Sequence, residues 1–215
     1  MRAIFISCLL LLFYACKEKT PPPREVKQYT IEQFYKTEAI TSGSFNKDES
    51  KILVSSNRSG IFNIVEINLA DGAASALTAS DKESLFAVDY VPGTDHFIFS
   101  ADKGGNENDH LYLQTSPITV KDLTPGIKEK AQFYGWTKDR RHLFYGSNKR
   151  NPQFFDVYKM DTAQWQPLLM YKNDSGLDVN SISHNERWLV LTRSVTTDRN
   201  ESVSYTHLTL PTNRE

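Results

Sequence analysis

The chain has 215 residues, of which 39% are hydrophobic and 12% aromatic, so it can bury the core of one or two domains. Its formal net charge of -1 gives no electrostatic reason to bind nucleic acid or an anionic membrane surface. The basic run at residues 138–141 is flanked by hydrophobic segments on both sides, and we interpret it as a solvated turn.

The N-terminus has the pattern of a secretory signal. Arg2 precedes an apolar run at residues 3–14, which is shorter than the about 20 residues of a membrane-spanning helix and suits a helical signal segment. Ala15 supplies the small residue that cleavage requires, and Cys16 follows it directly. We therefore predict a signal peptide at residues 1–15.

The segment LFYAC, which ends at Cys16, resembles the lipobox of bacterial lipoprotein signals, although Phe13 and Tyr14 are bulkier than its usual residues. The resemblance implies a lipid on Cys16 and attachment to a bacterial membrane through that anchor, in the periplasm or at the cell surface. Ordinary secretion and a retained signal anchor are the alternatives. The charged, proline-rich residues 16–28 then form a tether that does not pack into the domain.

A short helix is predicted next, in the segment TIEQFYKTE. Thr30 is followed three residues later by Gln33, which is the spacing of a capping box. This helix leads into the first unit of a repeat.

The repeat is a polar turn followed by an apolar or alternating strand. It occurs as KDESKILVSS, PGTDHFIFSA, KDRRHLFYGS and HNERWLVLTR, and the strand cores begin at Lys51, His96, His142 and Trp188, separated by 45, 46 and 46 residues. A second strand starts at Asn63, Asp109 and Asp156, a third element includes SALT, KDLT and QPLL, and a fourth comprises LFAVDYV, AQFYGWT and DVNSISH. Each unit thus contains four short strands joined by polar turns.

Four strands in a unit of this length are typical of a β-propeller blade, whereas a sandwich of regularly spaced hairpins is the alternative. Three element types recur in phase, which favours the propeller. The predicted fold is all-β: a partial β-propeller at residues 29–202, with about three and a half four-stranded blades and a period of about 46 residues.

The first blade, at residues 45–78, resembles the repeat of TolB-like propellers. It keeps the residues Asp48, Ser56, Arg58, Gly60, Leu77 and Thr78 of that pattern, while Asn46, Lys47 and Glu49 replace its usual proline and glycine. The longer run through DKGGNENDHLYL, SNKRNPQFFDVYKMD and NDSGLDVNSIS resembles the N-terminal propeller of exported S9-family serine peptidases of the prolyl oligopeptidase class.

That resemblance implies a C-terminal α/β-hydrolase domain in which serine, aspartate and histidine act together, and a propeller that limits peptide access to them. A nucleophile elbow needs the pattern G-x-S-x-G, which is absent from the sequence. Ser44 and Ser147 follow a glycine but lack the second one, and we interpret both as structural. The only two cysteines, Cys8 and Cys16, lie in the signal segment and directly after it, so the mature domain has no thiol nucleophile or disulfide.

We also interpret the histidines as structural: His96 and His142 occupy equivalent repeat positions, while His110 and His184 adjoin turns. The segment DKGGNENDH at residues 102–110 contains several oxygen donors and could bind calcium, but it lacks the spacing of a known calcium loop, so we predict a polar hairpin. We therefore predict no catalytic residue, cofactor or metal site in this chain.

The last segment, VSYTHLTLPT, falls where the period calls for another strand. It matches the translation of transposase-adapter DNA used in sequencing libraries, so we expect residues 203–215, including His207, to be a non-native tail. The chain is then expected to be a fragment that hydrolyses nothing, from an S9-type peptidase that acts on peptides. The alternative is a TolB-like periplasmic propeller that binds proteins, and a sugar-active or lyase propeller is a weaker third option.

Overall fold

The computed structural model describes residues 26–205. The predicted signal peptide, Cys16, most of the tether and His207 lie outside them. The chain divides into two compact units, Met1–Thr37 and Glu38–Glu215. Within residues 26–205, no helix combines the length and apolar character that crossing a membrane would require.

The predicted helix is present in the first unit as α1 (Ile31–Tyr35). Thr30 Oγ1 accepts a hydrogen bond from the Gln33 backbone N–H at 3.3 Å, and Gln33 Oε1 accepts one from the Thr30 N–H at 3.0 Å. The capping box predicted from the sequence is therefore confirmed, and it fixes the start of the helix.

The second unit consists of four antiparallel sheets, each a meander in which consecutive strands pair. Sheet 1 contains β1 (Ile40–Phe45), β2 (Lys51–Ser56), β3 (Asn63–Asn68) and β4 (Ala74–Ala76). Sheet 2 contains β5 (Phe86–Tyr90), β6 (Phe97–Ala101), β7 (His110–Ser116) and β8 (Thr119–Asp122). Sheet 3 contains β9 (Ala131–Trp136), β10 (His142–Asn151), β11 (Phe154–Asp161) and β12 (Pro167–Tyr171), and sheet 4 contains β13 (Asp178–Ile182), β14 (Leu189–Thr196) and β15 (Arg199–Tyr205).

Equivalent residues of the four sheets make the same backbone hydrogen bond, as the sequence period predicts. The carbonyl oxygens of the four predicted equivalent residues each accept a hydrogen bond from the backbone N–H five residues earlier, at 2.8 to 3.1 Å; these acceptors are Lys51, His96, His142 and Trp188. Three four-stranded sheets and one three-stranded sheet, built on one period, confirm the all-β propeller fold.

The core lies between successive sheets and forms three apolar clusters. Leu53 and Ile64 of sheet 1 pack with Phe97 and Phe99 of sheet 2. Ile98 and Leu111, on the opposite face of sheet 2, pack with Leu143 and Met160 of sheet 3. Phe144 and Val157 then pack with Leu189 and Leu191 of sheet 4. Sheets 2 and 3 are therefore buried on both faces. Sheets 1 and 4, at the ends of the series, are each buried on the one face that packs against a neighbouring sheet.

Three details differ from the sequence interpretation or extend it. Strand β1, ahead of the first polar turn, was not identified from the repeat. The strand predicted to start at Asp109 is β7, the third strand of sheet 2, and its equivalent first residue is His110, because Ala101 pairs with His110 as Ser56 pairs with Asn63. Strand β15 crosses the predicted end of the native sequence at residue 202. Its pairing with β14 uses ladder hydrogen bonds of the backbone, which do not depend on side-chain identity.

Candidate functional site

A polar arrangement between sheets is centred on Asp89, in β5. One carboxylate oxygen accepts a hydrogen bond from Ser44 Oγ in β1, and the other accepts one from Trp136 Nε1 in β9 at 3.0 Å. The Tyr90 backbone N–H donates to Ser44 Oγ at 3.2 Å. A single half-buried carboxylate therefore connects the first strands of three successive sheets.

A second polar contact lies beside it, between sheets 1 and 2. Tyr90 Oη donates to Glu66 Oε2 at 2.9 Å, and Lys51 Nζ lies 2.7 Å from Glu66 Oε1. Burial of the ring and the adjacent Glu66 carboxylate raise the pKa of Tyr90 well above its usual range, so this phenol remains a donor at neutral pH.

A cleft of about 320 Å³ opens at the ends of these first strands. Ser44, Asp89 and Trp136 contribute to its wall, and the side chains of Lys47 and Arg140 contribute basic groups from the turns. Arg140 belongs to the turn at residues 138–141, which is exposed as expected for a solvated turn. The cleft thus offers hydrogen-bonding groups of both charge signs to a polar ligand.

The arrangement offers a hydrogen-bonding surface to a polar ligand. Nucleophilic serines commonly hydrogen-bond to a histidine base. Ser44 Oγ donates to Asp89, whose other oxygen accepts from the Trp136 indole. Ser147 is buried in β10, and its Oγ accepts a hydrogen bond from the Lys149 backbone N–H at 3.2 Å. Neither serine is hydrogen-bonded to a histidine among the described residues.

The four histidines within residues 26–205 lie in strands, directly before a strand or in a turn. His96 and His142 are half-buried at the same position of sheets 2 and 3, and His184 is exposed in a turn. His110 is buried, with its Nδ1 2.8 Å from Asp122 Oδ2 and its ring stacked near Tyr112.

The third strands of sheets 1 and 3 each carry, near their start, a side chain that connects distant parts of the blade, and this was missed at the sequence level. Asn63 Oδ1 accepts hydrogen bonds from Thr78 Oγ1 and the Ser80 backbone N–H at 2.9 and 2.7 Å. In sheet 3, Asp156 accepts from both Arg150 nitrogens, Nε and Nη2, at 2.7 Å and from the Asn173 N–H at 2.8 Å. The bonds to the Ser80 and Asn173 N–H groups each reach 17 residues along the chain.

The segment at residues 102–110 forms a loop whose oxygens bind its own backbone. Asp102 Oδ2 accepts from the Glu107 N–H, and Asn106 Oδ1 accepts from the Asn108 N–H, both at 2.9 Å. Asp109 lies 3.6 Å from Lys130 Nζ. Across residues 26–205, no three histidine, cysteine, aspartate or glutamate side chains are close enough to share a metal ion.

Comparison with known proteins finds similarity to peptidases, to TolB proteins and to an oligogalacturonate lyase. No protein-family model matches the chain. Over 88 residues the chain is 39% identical to dipeptidyl aminopeptidase BIII of Pseudoxanthomonas mexicana, an S9-family protein. The match covers 40% of this chain and only 12% of that protein.

Solved structures share the fold at low sequence identity. Prolyl oligopeptidase B from Galerina marginata superposes with a TM-score of 0.58 and 13% identity, covering 79% of this chain and 26% of the other. TolB from Acinetobacter baumannii gives 0.56 and 18%, covering 79% and 41%. An oligogalacturonate lyase in complex with manganese gives 0.57 and 14%, covering 72% and 46%. The chain spans less than half of the length of each of these proteins. Its resemblance to S9-type and TolB-like propellers is confirmed.

Proposed function

We propose that this chain is the propeller part of an exported S9-type serine peptidase. The observation that carries the proposal is the 39% identity to dipeptidyl aminopeptidase BIII over 88 residues, since the solved structures support only the fold. In this proposal the propeller limits access of peptides to an α/β-hydrolase domain encoded beyond residue 202. The described part of the chain then contributes a polar, hydrogen-bonding wall and no nucleophile.

The deciding experiment is recovery of the native DNA downstream of codon 202. We expect an open reading frame with a G-x-S-x-G elbow and a later histidine, and we expect the assembled protein to release the chromophore from dipeptidyl or prolyl chromogenic substrates. The 215-residue chain should leave the same substrates intact. Hydrolysis by the purified chain, or a stop codon soon after the last blade, would refute the peptidase proposal. The same DNA shows whether residues 203–215 are native.

A protein-binding propeller of the TolB kind is the second candidate. The fold match to TolB covers 79% of the chain at 18% identity, and the first blade keeps most of the TolB-like motif. A stop codon after the propeller, together with retention of periplasmic proteins on the purified full-length protein, would favour this function.

Export and anchoring belong to both candidates. We propose that Cys16 carries a lipid that attaches the protein to a bacterial membrane. Expression in a Gram-negative host with an alkyne-labelled fatty acid should label the wild-type chain and leave Cys16→Ala unlabelled. Equal labelling of both proteins would show that the lipid is not on Cys16, and release of unlabelled wild-type protein into the soluble periplasm would favour ordinary secretion.

A further inference from the structure

A second cleft lies between the outer strands of sheets 2 and 3, away from Asp89. Its volume is about 240 Å³, which suits one amino-acid residue better than a long ligand. Residues from the end of β8, from β10 and from the turn before β12 line it. The roles proposed above for the propeller do not involve this cleft.

The apolar wall of the cleft is held in place by its own turn. Trp165 and Pro167 line it, and Trp165 has a positive φ of 60°, which is rare for a bulky residue. Asp161 stabilises this conformation, because its carboxylate accepts the backbone N–H groups of Ala163 and Gln164 at 3.0 and 2.6 Å. The indole is half-buried against the core between sheets 2 and 3. A strained, positioned aromatic side chain is a feature often found at binding sites.

The acidic groups of the cleft are already hydrogen-bonded. Asp122 contacts the His110 ring at 2.8 Å and accepts the Thr124 backbone N–H at 3.0 Å. Glu129 accepts two backbone N–H groups of its own loop. These backbone hydrogen bonds and, more weakly, the charge of Lys149 lower the pKa of Glu129, so it is ionised at neutral pH, with Oε2 accepting both bonds.

Three side-chain donors of the cleft have no hydrogen-bond partner within residues 26–205. Tyr145 is only 5% exposed and lines the cleft, and its hydroxyl makes no hydrogen bond within residues 26–205. Lys121 and Lys149 also line the cleft, and neither forms a salt bridge within that range. An almost buried phenol without a partner and two ammonium groups surround an aromatic wall. This combination suits a ligand with an apolar body and a carboxylate.

We propose that this cleft binds the C-terminal residue of a short peptide. The apolar side chain of that residue packs against Trp165 and Pro167. The carboxylate accepts a hydrogen bond from the Tyr145 hydroxyl and pairs with Lys121 and Lys149. A peptide amide lacks the charge that these donors bind, so the cleft distinguishes a free C-terminus from a continuous chain.

The test uses the full 215-residue chain and two probes, acetyl-Ala-Ala-Phe with a free carboxylate and the same peptide as its C-terminal amide. Isothermal titration calorimetry should give a Kd for the carboxylate at least about tenfold below that for the amide, as expected from one charge-assisted hydrogen bond. Equal affinities, or no heat from the carboxylate peptide at millimolar concentration, would overturn the proposal.

Variants then assign the contacts. Tyr145→Phe keeps the ring and removes the hydroxyl, and Lys149→Gln removes an exposed charge. Each variant should raise the Kd of the carboxylate peptide about tenfold and leave the Kd of the amide peptide unchanged. Trp165→Leu should weaken the binding of both peptides. Lys103→Gln, in the exposed loop of residues 102–110, is the matched control and should leave both affinities unchanged. Because Lys149 is exposed, its variant should fold even if a buried substitution does not, and unchanged carboxylate binding by Lys149→Gln and Tyr145→Phe would contradict the site.

Discussion

The indole Nε1 of Trp136 donates a hydrogen bond to Oδ2 of Asp89 at 3.0 Å, across 47 residues of sequence. The interval is close to one repeat, so the bond joins the first strand of one sheet to the first strand of the next. Ser44 extends the connection to the sheet before. The apolar clusters stabilise the packing of neighbouring sheets, but the hydrophobic effect is not directional. The hydrogen bonds of Asp89 are directional, so they fix the alignment of the three first strands.

Loss of this carboxylate should destabilise the domain. Asp89→Ala removes two hydrogen bonds to a charged acceptor and leaves the Trp136 N–H and the Ser44 hydroxyl without it. We expect the free energy of unfolding to fall by about 2–4 kcal/mol in urea titrations. Asp95→Ala is the control, since Asp95 is exposed and lies 3.4 Å from exposed Lys47. If both variants lost the same small amount, the Asp89 connection would not contribute to stability.

The ion pair between Arg150 and Asp156 in sheet 3 should also contribute to stability. Asp156 is fully buried and accepts three hydrogen bonds, two from the exposed Arg150 and one from the Asn173 backbone. Asp156→Ala leaves the buried Asn173 N–H without its acceptor, whereas Arg150 keeps its contacts to the Asn173 carbonyl and to Asp174. We expect a loss of about 2–4 kcal/mol in the free energy of unfolding.

The matched control for that variant is Glu201→Ala. Glu201 forms an exposed ion pair with Arg193 at 2.8 Å, which is comparable in distance to the Asp156 pair. Exposed pairs contribute less than about 1 kcal/mol, so this variant should unfold close to wild type. A larger loss for Glu201→Ala than for Asp156→Ala would show that burial does not determine the cost here.

The strand order was predictable because the sequence carries a period. Polar turns before Lys51, His96, His142 and Trp188 mark equivalent points, and alternation marks the strands between them. Strand β1 escaped detection because ITSGSF contains few apolar residues and its repeat unit begins before the first recognised turn. The start of β7 was predicted one residue too early. Asp109 is of the residue type found at the equivalent positions of the repeat, but His110 is the residue whose pairing matches theirs.

The contacts of the site were not predictable, and the reason is local geometry. The first strand of sheet 1 changes register between Thr41 and Ser44, and that of sheet 2 changes between Ala87 and Asp89. A bulge of this kind inserts a residue and moves the following side chains to the other face of the sheet. Alternation along the sequence therefore could not show that Ser44 and Asp89 point towards each other.

The core between sheets 2 and 3 gives a direct test of the packing. Ile98 is fully buried there, so Ile98→Ala should lower the free energy of unfolding by about 2–5 kcal/mol through lost transfer energy and the cavity left behind. Ile118 is the same residue type at 94% exposure, and Ile118→Ala should change stability by less than about 0.5 kcal/mol. Urea titrations of the two variants should differ clearly; similar midpoints would mean that sheets 2 and 3 do not pack as described.

High pH should unfold the protein through its buried tyrosines. Burial, supported by the charge of a nearby aspartate in each case, raises the pKa of Tyr112 and Tyr134 to about 12. In the unfolded chain tyrosine ionises near pH 10, so between about pH 10 and 12 the unfolded state binds fewer protons than the folded state. The stabilisation is therefore complete below pH 10 and is lost as the pH rises towards 12.

Unfolding free energies measured between pH 8 and pH 11.5 should be flat at first and then decline above about pH 10. Tyr134→Phe removes one of the two tyrosines named above, so its decline should be shallower than that of wild type. Tyr35→Phe is the control, since that ring is 85% exposed in α1, and its profile should follow wild type. A wild-type profile that stays flat to pH 11.5 would contradict the burial of these phenols, because a buried neutral tyrosine must resist ionisation more than an unfolded one.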